Sequence, residues 1–287
     1  MTFQFTEDQL SIQEMVRTYS EKEIRPRAEE IDKTGRFPKE NMDGLRELGI
    51  LQLTIPEEYG GTGIDDEITK ALAVMEVAKC CASTAEILDV HYLSTDILMR
   101  KGTAEQKAKY LPQAAEGKLG GFALTEPGAG SDAGGLKTKA VKDGGRIGIT
   151  SQACGVAFGA IAEAVKYSGE RVQFGKPINA NQGLQWYLAD MATRAEAAWL
   201  LTLKAAALRQ QGLPCTTAAA MAKWYAAEAA CYCCDLALQI HGGYGYMKDY
   251  PIERMYRDAR ILRIYEGTSE VQKMVVARAV MKGWPFA

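Results

Sequence analysis

Helix-forming patterns fill both ends of this 287-residue chain and are interrupted once, by a glycine-rich segment. Between residues 120 and 145, eight glycines and Pro127 punctuate the sequence, and no 3.6-residue period survives there. On either side, apolar residues recur at helical spacing over most of the remaining length. The pattern predicts an all-α fold, with two short strands at 121–125 and 138–141 inside the irregular segment.

Capping signals place several helix ends. Thr6 and Gln9 form a capping box, which predicts a first helix from near residue 7, and Thr103 and Gln106 form a second box. The helix that follows residue 38 is expected to end at Gly49. Further helices are predicted at 65–79, 84–101, 103–116, 146–167, 181–211, 216–240, 251–263 and 269–282. We therefore divide the chain into an N-terminal helical domain (1–119), a loop segment (120–145) and a C-terminal domain resembling a four-helix bundle (146–287).

Composition excludes several classes of function. The chain has 34 Lys and Arg against 36 Asp and Glu, so its formal net charge is -2 and no positive surplus exists to neutralise nucleic-acid phosphates. The longest apolar runs are broken by charges well before the roughly 20 residues that a membrane span needs. The first ten residues carry Glu7 and Asp8 and lack a secretory pattern. We expect a cytoplasmic protein that neither crosses a membrane nor binds nucleic acid.

The seven cysteines favour a reduced core over a metal site. Cys80 and Cys81, and the group Cys231, Cys233 and Cys234, lie in alanine-rich helical patterns instead of loops. A zinc site would need two ligand pairs at suitable spacing, whereas the two histidines of the chain lie far apart in sequence. We predict no metal, and we expect a carboxylate to carry any acid or base chemistry.

The stretch from Ile264 to Gln272 places one carboxylate in a glycine turn directly before a helix. Gly267 allows a backbone conformation that other residues resist, so Glu266 can project into a cleft and act as a general base. Ser269 and Gln272 are expected to form the capping box of the following helix. A second interpretation remains open, in which Glu266 is a solvated glutamate that helps to cap this helix.

Three other segments offer groups that suit a phosphate or a cofactor. The first, Gln239 to Tyr246, ends a long helix in a glycine cluster, where backbone amides can approach a phosphate or the glycines can simply stop the helix. The second, Arg171 to Pro177, offers a guanidinium three residues before an aromatic ring. The third, Leu124 to Asp132, combines hydroxyls with glycine amides, and a tight surface turn is its alternative interpretation.

In this order, the four segments resemble the acyl-CoA dehydrogenase family, nearest to its short-chain, butyryl-CoA-type members. The resemblance covers nearly every residue. It implies that Glu266 removes the α-proton of an acyl-CoA thioester while hydride leaves the β-carbon for FAD, which gives a trans-2-enoyl-CoA. It also implies an electron-transferring flavoprotein as the partner. A homodimer or homotetramer is expected because the alanine-rich faces of 181–240 exceed what one short bundle can bury.

The resemblance also assigns the remaining site residues. The ADP part of FAD would be held across a dimer interface by Arg171, Phe174 and Gln182, and at the family's adenosine diphosphate site by Gln239, Gly242 and Gly243. The flavin would contact Thr268 and the loop residues Phe122, Leu124, Thr125 and Gly130, with Phe122 replacing a common tyrosine. The substrate would be bound by Ser131, Asp143 and Arg146.

One departure from the family is large. Its members carry a β-barrel domain of roughly a hundred residues between the helical halves, with period-2 strands and turns. In this chain residues 120–145 are the remnant of that β-barrel domain, and the two helical halves join at Asp143 to Gly145. The clean join suggests deliberate or selected removal, as in an engineered minimal enzyme. The missing domain includes the segment that covers one face of the flavin. An alternative function is therefore a helical scaffold that binds FAD or CoA with little or no turnover. A third is a purely structural helical oligomer.

Overall fold

The structure, a computed structural model, describes residues 4–121 and 145–283. Within them the N-terminal half contains α1 (Glu7–Tyr19), a π-helical turn (Ser20–Ile24), α2 (Arg25–Thr34), α3 (Lys39–Glu47), α4 (Glu67–Ala78), α5 (Ala82–Lys101) and α6 (Ala104–Ala115). The C-terminal half contains α7 (Gly145–Glu170), β1 (Val172–Gln173), β2 (Lys176–Pro177), α8 (Gln182–Gln210), α9 (Thr216–His241), α10 (Pro251–Ile261) and α11 (Ser269–Met281). The all-α prediction is confirmed, since only β1 and β2 are strands in the described residues.

Both predicted capping boxes of the N-terminal half are present. The Thr6 hydroxyl accepts from the Gln9 amide while the Gln9 side chain accepts from the Thr6 amide, and Thr103 and Gln106 repeat this exchange. The capping box predicted for α11 is wrong. Thr268 is the N-cap residue, and its hydroxyl accepts from the Val271 amide. Apart from residue 121, the strands predicted at 121–125 and 138–141 lie outside the described residues.

Three long helices, α7, α8 and α9, form the centre of the protein. Short connections and side-chain contacts such as Cys154 with Thr202 on α8, and Cys233 with Met191, show that neighbours run antiparallel. The largest core cluster combines small residues of these helices with Ala71, Leu72 and Met75 of α4. Helix α7 is apolar and long enough to span a membrane, but 72% of its apolar window is buried inside the protein, as expected of a core helix.

Close packing between α4 and α7 depends on glycine. A Cβ at Gly155 would lie 2.4 Å from the Met75 carbonyl oxygen and 2.6 Å from the Ala78 Cβ. A Cβ at Gly159 would likewise lie 2.7 Å from the Lys79 carbonyl oxygen. The backbones of the two helices therefore approach more closely than any larger residue permits. This approach joins the N-terminal half to the three-helix centre.

We expect the substitution Gly155→Ala to destabilise the protein by about 1–3 kcal/mol, because overpacking outweighs the gain of about 1 kcal/mol in helix propensity. Urea unfolding followed by circular dichroism measures the change. Gly183→Ala is the matched control, since Gly183 lies in α8 and a Cβ at this position would have no atom within 4 Å of it. Equal stability of the two variants would contradict the close approach.

Candidate active site

The turn between α10 and α11 holds Glu266 in an uncommon backbone conformation. Glu266 has φ +51° and Gly267 has φ +89°, so both lie in the left-handed region, which a glutamate seldom adopts. The side-chain amide of Gln272 donates to the carbonyl oxygens of Glu266 and Gly267, each at 3.1 Å. The Lys223 ammonium donates to the Gly267 oxygen at 2.7 Å. These bonds offset the strain and fix the direction in which the turn presents Glu266.

The surroundings of Glu266 favour a proton acceptor over a helix cap. Its side chain is half-buried, and Thr268 already caps α11. Burial raises the pKa of Glu266, while the positive charges of Arg146 and Lys223 partly oppose that rise. Burial also lowers the pKa of Lys223 to about 8. A carboxylate whose proton affinity is raised, and which two cations still face, suits a general base.

A cavity of about 310 Å³ opens beside Arg146. Its basic lining residues are Arg100, Arg146 and Arg209, and the N-terminal turn of α9 contributes Cys215 and Thr216. The Arg146 Nε atom is buried and has no hydrogen-bond partner among the described residues. A buried donor without a partner is costly, so the cavity is suited to an anionic or carbonyl ligand.

A second group of predicted residues gathers at the opposite end of the bundle. These residues are all exposed and comprise Arg171, Phe174, Gln182, Gln239, Gly242 and Gly243. The Arg171 guanidinium lies 5.3 Å from the centre of the Tyr244 ring, so the basic segment and the glycine cluster are neighbours. No atom lies within 4 Å of a Cβ built on Gly242 or Gly243. The backbone of the glycine cluster is thus open to a ligand.

Phe174 is at the tip of the hairpin that β1 and β2 form. Phe174 and Gly175 have φ values of +54° and +76°, the conformation of a two-residue type I′ turn. The Phe174 side chain is 98% exposed. A large apolar side chain held outwards by a strained turn indicates a surface that contacts another molecule.

The structure does not bring the two groups together in one chain. Lys223 lies beside Glu266, and His241 lies beside the glycine cluster. The two residues are 18 positions apart on α9, which is about 27 Å along the helix axis. Thr268 lies with Glu266, as does Arg146. The remaining predicted residues, Phe122, Leu124, Thr125, Gly130, Ser131 and Asp143, lie outside the described residues.

Sequence reasoning missed the residues that hold the turn. Lys223 is fully buried in an alanine-rich run, and a lone lysine in such a run is the signal that could have indicated it. Gln272, predicted as a capping residue, is fully buried and binds the turn. Tyr265, whose hydroxyl contacts Glu86 and Gln152, carries no recognisable local signal.

Comparison with known proteins now gives the family. The acyl-CoA dehydrogenase N-terminal domain matches residues 6–118, and the C-terminal domain of the same family matches residues 138–281. Acryloyl-CoA reductase (NADH) of Anaerotignum propionicum is 39% identical, over 98% of this chain and 96% of that protein. That alignment spans 381 positions against 287 residues here, so the relative contains a stretch with no counterpart in this chain.

Two solved structures share the fold. Butyryl-CoA dehydrogenase from Megasphaera elsdenii has a TM-score of 0.92 and 33% identity, over 98% of this chain and 100% of that one. A structure from work on the electron-transferring flavoprotein of Acidaminococcus fermentans and flavin-based electron bifurcation has a TM-score of 0.92 and 34% identity, with the same coverage. The chain therefore belongs to the acyl-CoA dehydrogenase family of FAD-binding oxidoreductases, which act on CH–CH groups.

Proposed function

We propose that this protein catalyses the FAD-dependent α,β-dehydrogenation of short-chain acyl-CoA thioesters to trans-2-enoyl-CoA, with Glu266 as the base. The observation that carries the proposal is a half-buried carboxylate held in a strained turn beside Arg146 and Lys223. Glu266 accepts the α-proton of the thioester, and the two neighbouring cations keep its carboxylate ionised between turnovers. FAD, when bound, supplies the acceptor for the hydride that leaves the β-carbon.

The cavity beside Arg146 is the proposed place for the substrate next to this base. A guanidinium pairs with phosphate oxygens, so Arg146 suits a phosphate of a CoA ester, whereas Arg100 pairs with Glu67 and Arg209 pairs with Glu67 and Asp96. The unpartnered Arg146 Nε atom provides a hydrogen-bond donor for the bound ester. We also assign Ser131 and Asp143 to substrate binding, and Phe122, Leu124, Thr125, Gly130 and Thr268 to contacts with the flavin.

The described residues fit FAD, provided that a second copy of the chain takes part. Arg171, Phe174 and Gln182 would bind the ADP part, together with the open glycine cluster. These groups lie at the other end of the bundle from Glu266, so we propose that they serve the cofactor of a neighbouring subunit. The protein would then be a homodimer or homotetramer. Light scattering at micromolar concentration tests this, and a stable monomer would contradict it.

We expect the substitution Phe174→Ala to weaken both FAD binding and self-association by about tenfold or more, because an aromatic anchor at an interface commonly contributes over 1 kcal/mol. Calorimetric titration with FAD and light scattering measure the two effects. Tyr110→Ala is the control, since Tyr110 is an exposed aromatic residue on α6, away from the hairpin. If both variants retained the parent's affinities, the hairpin would have no role at an interface.

The electron acceptor and the cellular location follow as further proposals. The structural likeness to a protein from electron-transferring flavoprotein work supports such a flavoprotein as the partner. The similarity to acryloyl-CoA reductase supports the same groups working in the reverse direction on an enoyl-CoA. We propose a cytoplasmic location.

A specific observation also favours the alternative function. The chain is shorter than its relative, and a site that lacks part of its cover admits water. A scaffold that binds FAD or CoA without useful turnover would result. The visible spectrum of the purified protein, recorded before and after anaerobic addition of butyryl-CoA, separates the possibilities. Bleaching supports the dehydrogenase, a flavin spectrum without bleaching supports the scaffold, and absence of flavin supports a purely structural oligomer.

A further inference from the structure

Arg171 and Tyr244 form a contact between the two segments that we assign to the ADP part of FAD. Arg171 follows the end of α7, and Tyr244 lies in the short 3-10 helix Gly242–Tyr246 that follows α9. The Arg171 guanidinium lies 5.3 Å from the centre of the Tyr244 ring, inside the limit of about 6 Å for a cation–π contact. None of the cofactor contacts assigned above involves Tyr244.

The Arg171 guanidinium has no carboxylate partner in the part of the chain that the structure describes. It makes neither an ion pair nor a hydrogen bond there, and its side chain is exposed. Arg257, in contrast, pairs with Asp32 at 2.7 Å. The backbone of Gly242 and Gly243 is open, with no atom within 4 Å of a Cβ built on either residue. An unpaired guanidinium beside open backbone amides suits a pyrophosphate, because no carboxylate competes for the cation.

Three further aromatic rings hold the Tyr244 ring in place. The centre of the Tyr250 ring lies 5.6 Å from that of Tyr244. Tyr250 also packs edge-on against Tyr167 and His241, and the rings of these two residues stack with their centres 4.2 Å apart. Tyr167 belongs to α7 and His241 ends α9, and the Arg171 amide donates to the Tyr167 carbonyl oxygen at 2.8 Å. The rings therefore join the ends of the two helices and limit the positions that Tyr244 and Arg171 can take.

We propose that Tyr244 is a positioning residue for FAD, whose ring holds the Arg171 guanidinium beside the glycine cluster so that both can contact the pyrophosphate of the cofactor. The proposal rests on the proposed function, in which these two segments bind the ADP part of FAD. FMN lacks the pyrophosphate, so the contact favours FAD over FMN. The face of the ring attracts the cation, and the Tyr244 hydroxyl is not needed for this attraction.

Titration of the flavin-free protein with FAD and with FMN tests the role. We expect Tyr244→Ala to weaken FAD binding by about twofold to fivefold and to leave FMN binding unchanged. Tyr244→Phe keeps the ring face and should bind FAD as the parent does. Tyr246→Ala is the matched control, since Tyr246 lies in the same 3-10 helix, is 84% exposed and contacts no cation or ring among the described residues. It should retain the parent's affinity for FAD.

A double-mutant cycle with Arg171→Gln separates positioning from a general loss of packing. In the parent, Arg171→Gln should weaken FAD binding by about tenfold or more, because a charge-assisted hydrogen bond is lost. In the Tyr244→Ala background the same change should cost less, because the guanidinium is already misplaced. Equal costs in the two backgrounds would overturn the proposal. So would an equal loss of FAD and FMN affinity in Tyr244→Ala.

The titrations do not depend on turnover. If the bound flavin is not reduced by any acyl-CoA, the proposed dehydrogenation fails, and the affinities still decide the role of Tyr244. If every variant binds FAD as the parent does, only the role of Tyr244 fails. If the parent binds no FAD, both proposals fail.

Discussion

Glu266→Gln should retain FAD and acyl-CoA binding and lose about a hundredfold to ten-thousandfold in the rate at which butyryl-CoA reduces the bound flavin. An amide matches a carboxylate in size and shape, so the turn held by Lys223 and Gln272 persists. Only the carboxylate can accept the α-proton. Anaerobic stopped-flow absorbance measures the rate, and a bound-flavin spectrum measures retention of the cofactor.

Glu270→Gln provides the matched control. Glu270 is exposed in the first turn of α11, four residues after Glu266. We expect it to reduce flavin at the parent's rate. If Glu266→Gln were as fast as this control, another carboxylate would be the base, and Glu86, which contacts Tyr265, would be the first candidate.

Most of the helical architecture could be predicted because its signals are local. A capping box uses four consecutive residues, and Thr6 with Gln9 forms one as expected. The same signal failed at α11, where two adjacent hydroxyl residues, Thr268 and Ser269, stand at the start of the helix. Gln272 is buried, its side-chain amide bonds to the turn instead of completing a box with Ser269, and Thr268 is the N-cap residue. Local sequence does not contain that information.

The active site could be predicted only in part, for the same reason. Glu266 has a local signal, since Gly267 follows it and a helix begins just after. The charged groups that tune its pKa come from distant helices, Lys223 from α9 and Arg146 from α7. Their convergence depends on how those helices pack. The distance between Glu266 and the glycine cluster follows from the length of α9. The local sequence motifs do not reveal that distance.

We expect Lys223 to make the stability of the protein depend on pH above neutrality. Its side chain is fully buried, and burial lowers its pKa from 10.5 to about 8. Between these values the unfolded chain binds a proton that the folded protein does not, so the free energy of unfolding rises with pH across this range. A shift of this size corresponds to about 3 kcal/mol. Below pH 8, folding must bury the charged ammonium, and that cost is relieved as the pH rises.

The substitution Lys223→Met should therefore remove about 3 kcal/mol of pH dependence between pH 8 and 10.5, while its loss of the bond to Gly267 acts equally at both ends. Denaturant unfolding of both proteins across this range measures the difference. The cation that lowers the pKa of Glu266 is also lost, so the acidic limb of the kcat/KM profile should move to higher pH. Lys273→Met, at an exposed position of α11, should change neither curve. Parallel stability curves for Lys223→Met and the parent would show that Lys223 titrates as an ordinary surface lysine and does not tune the base.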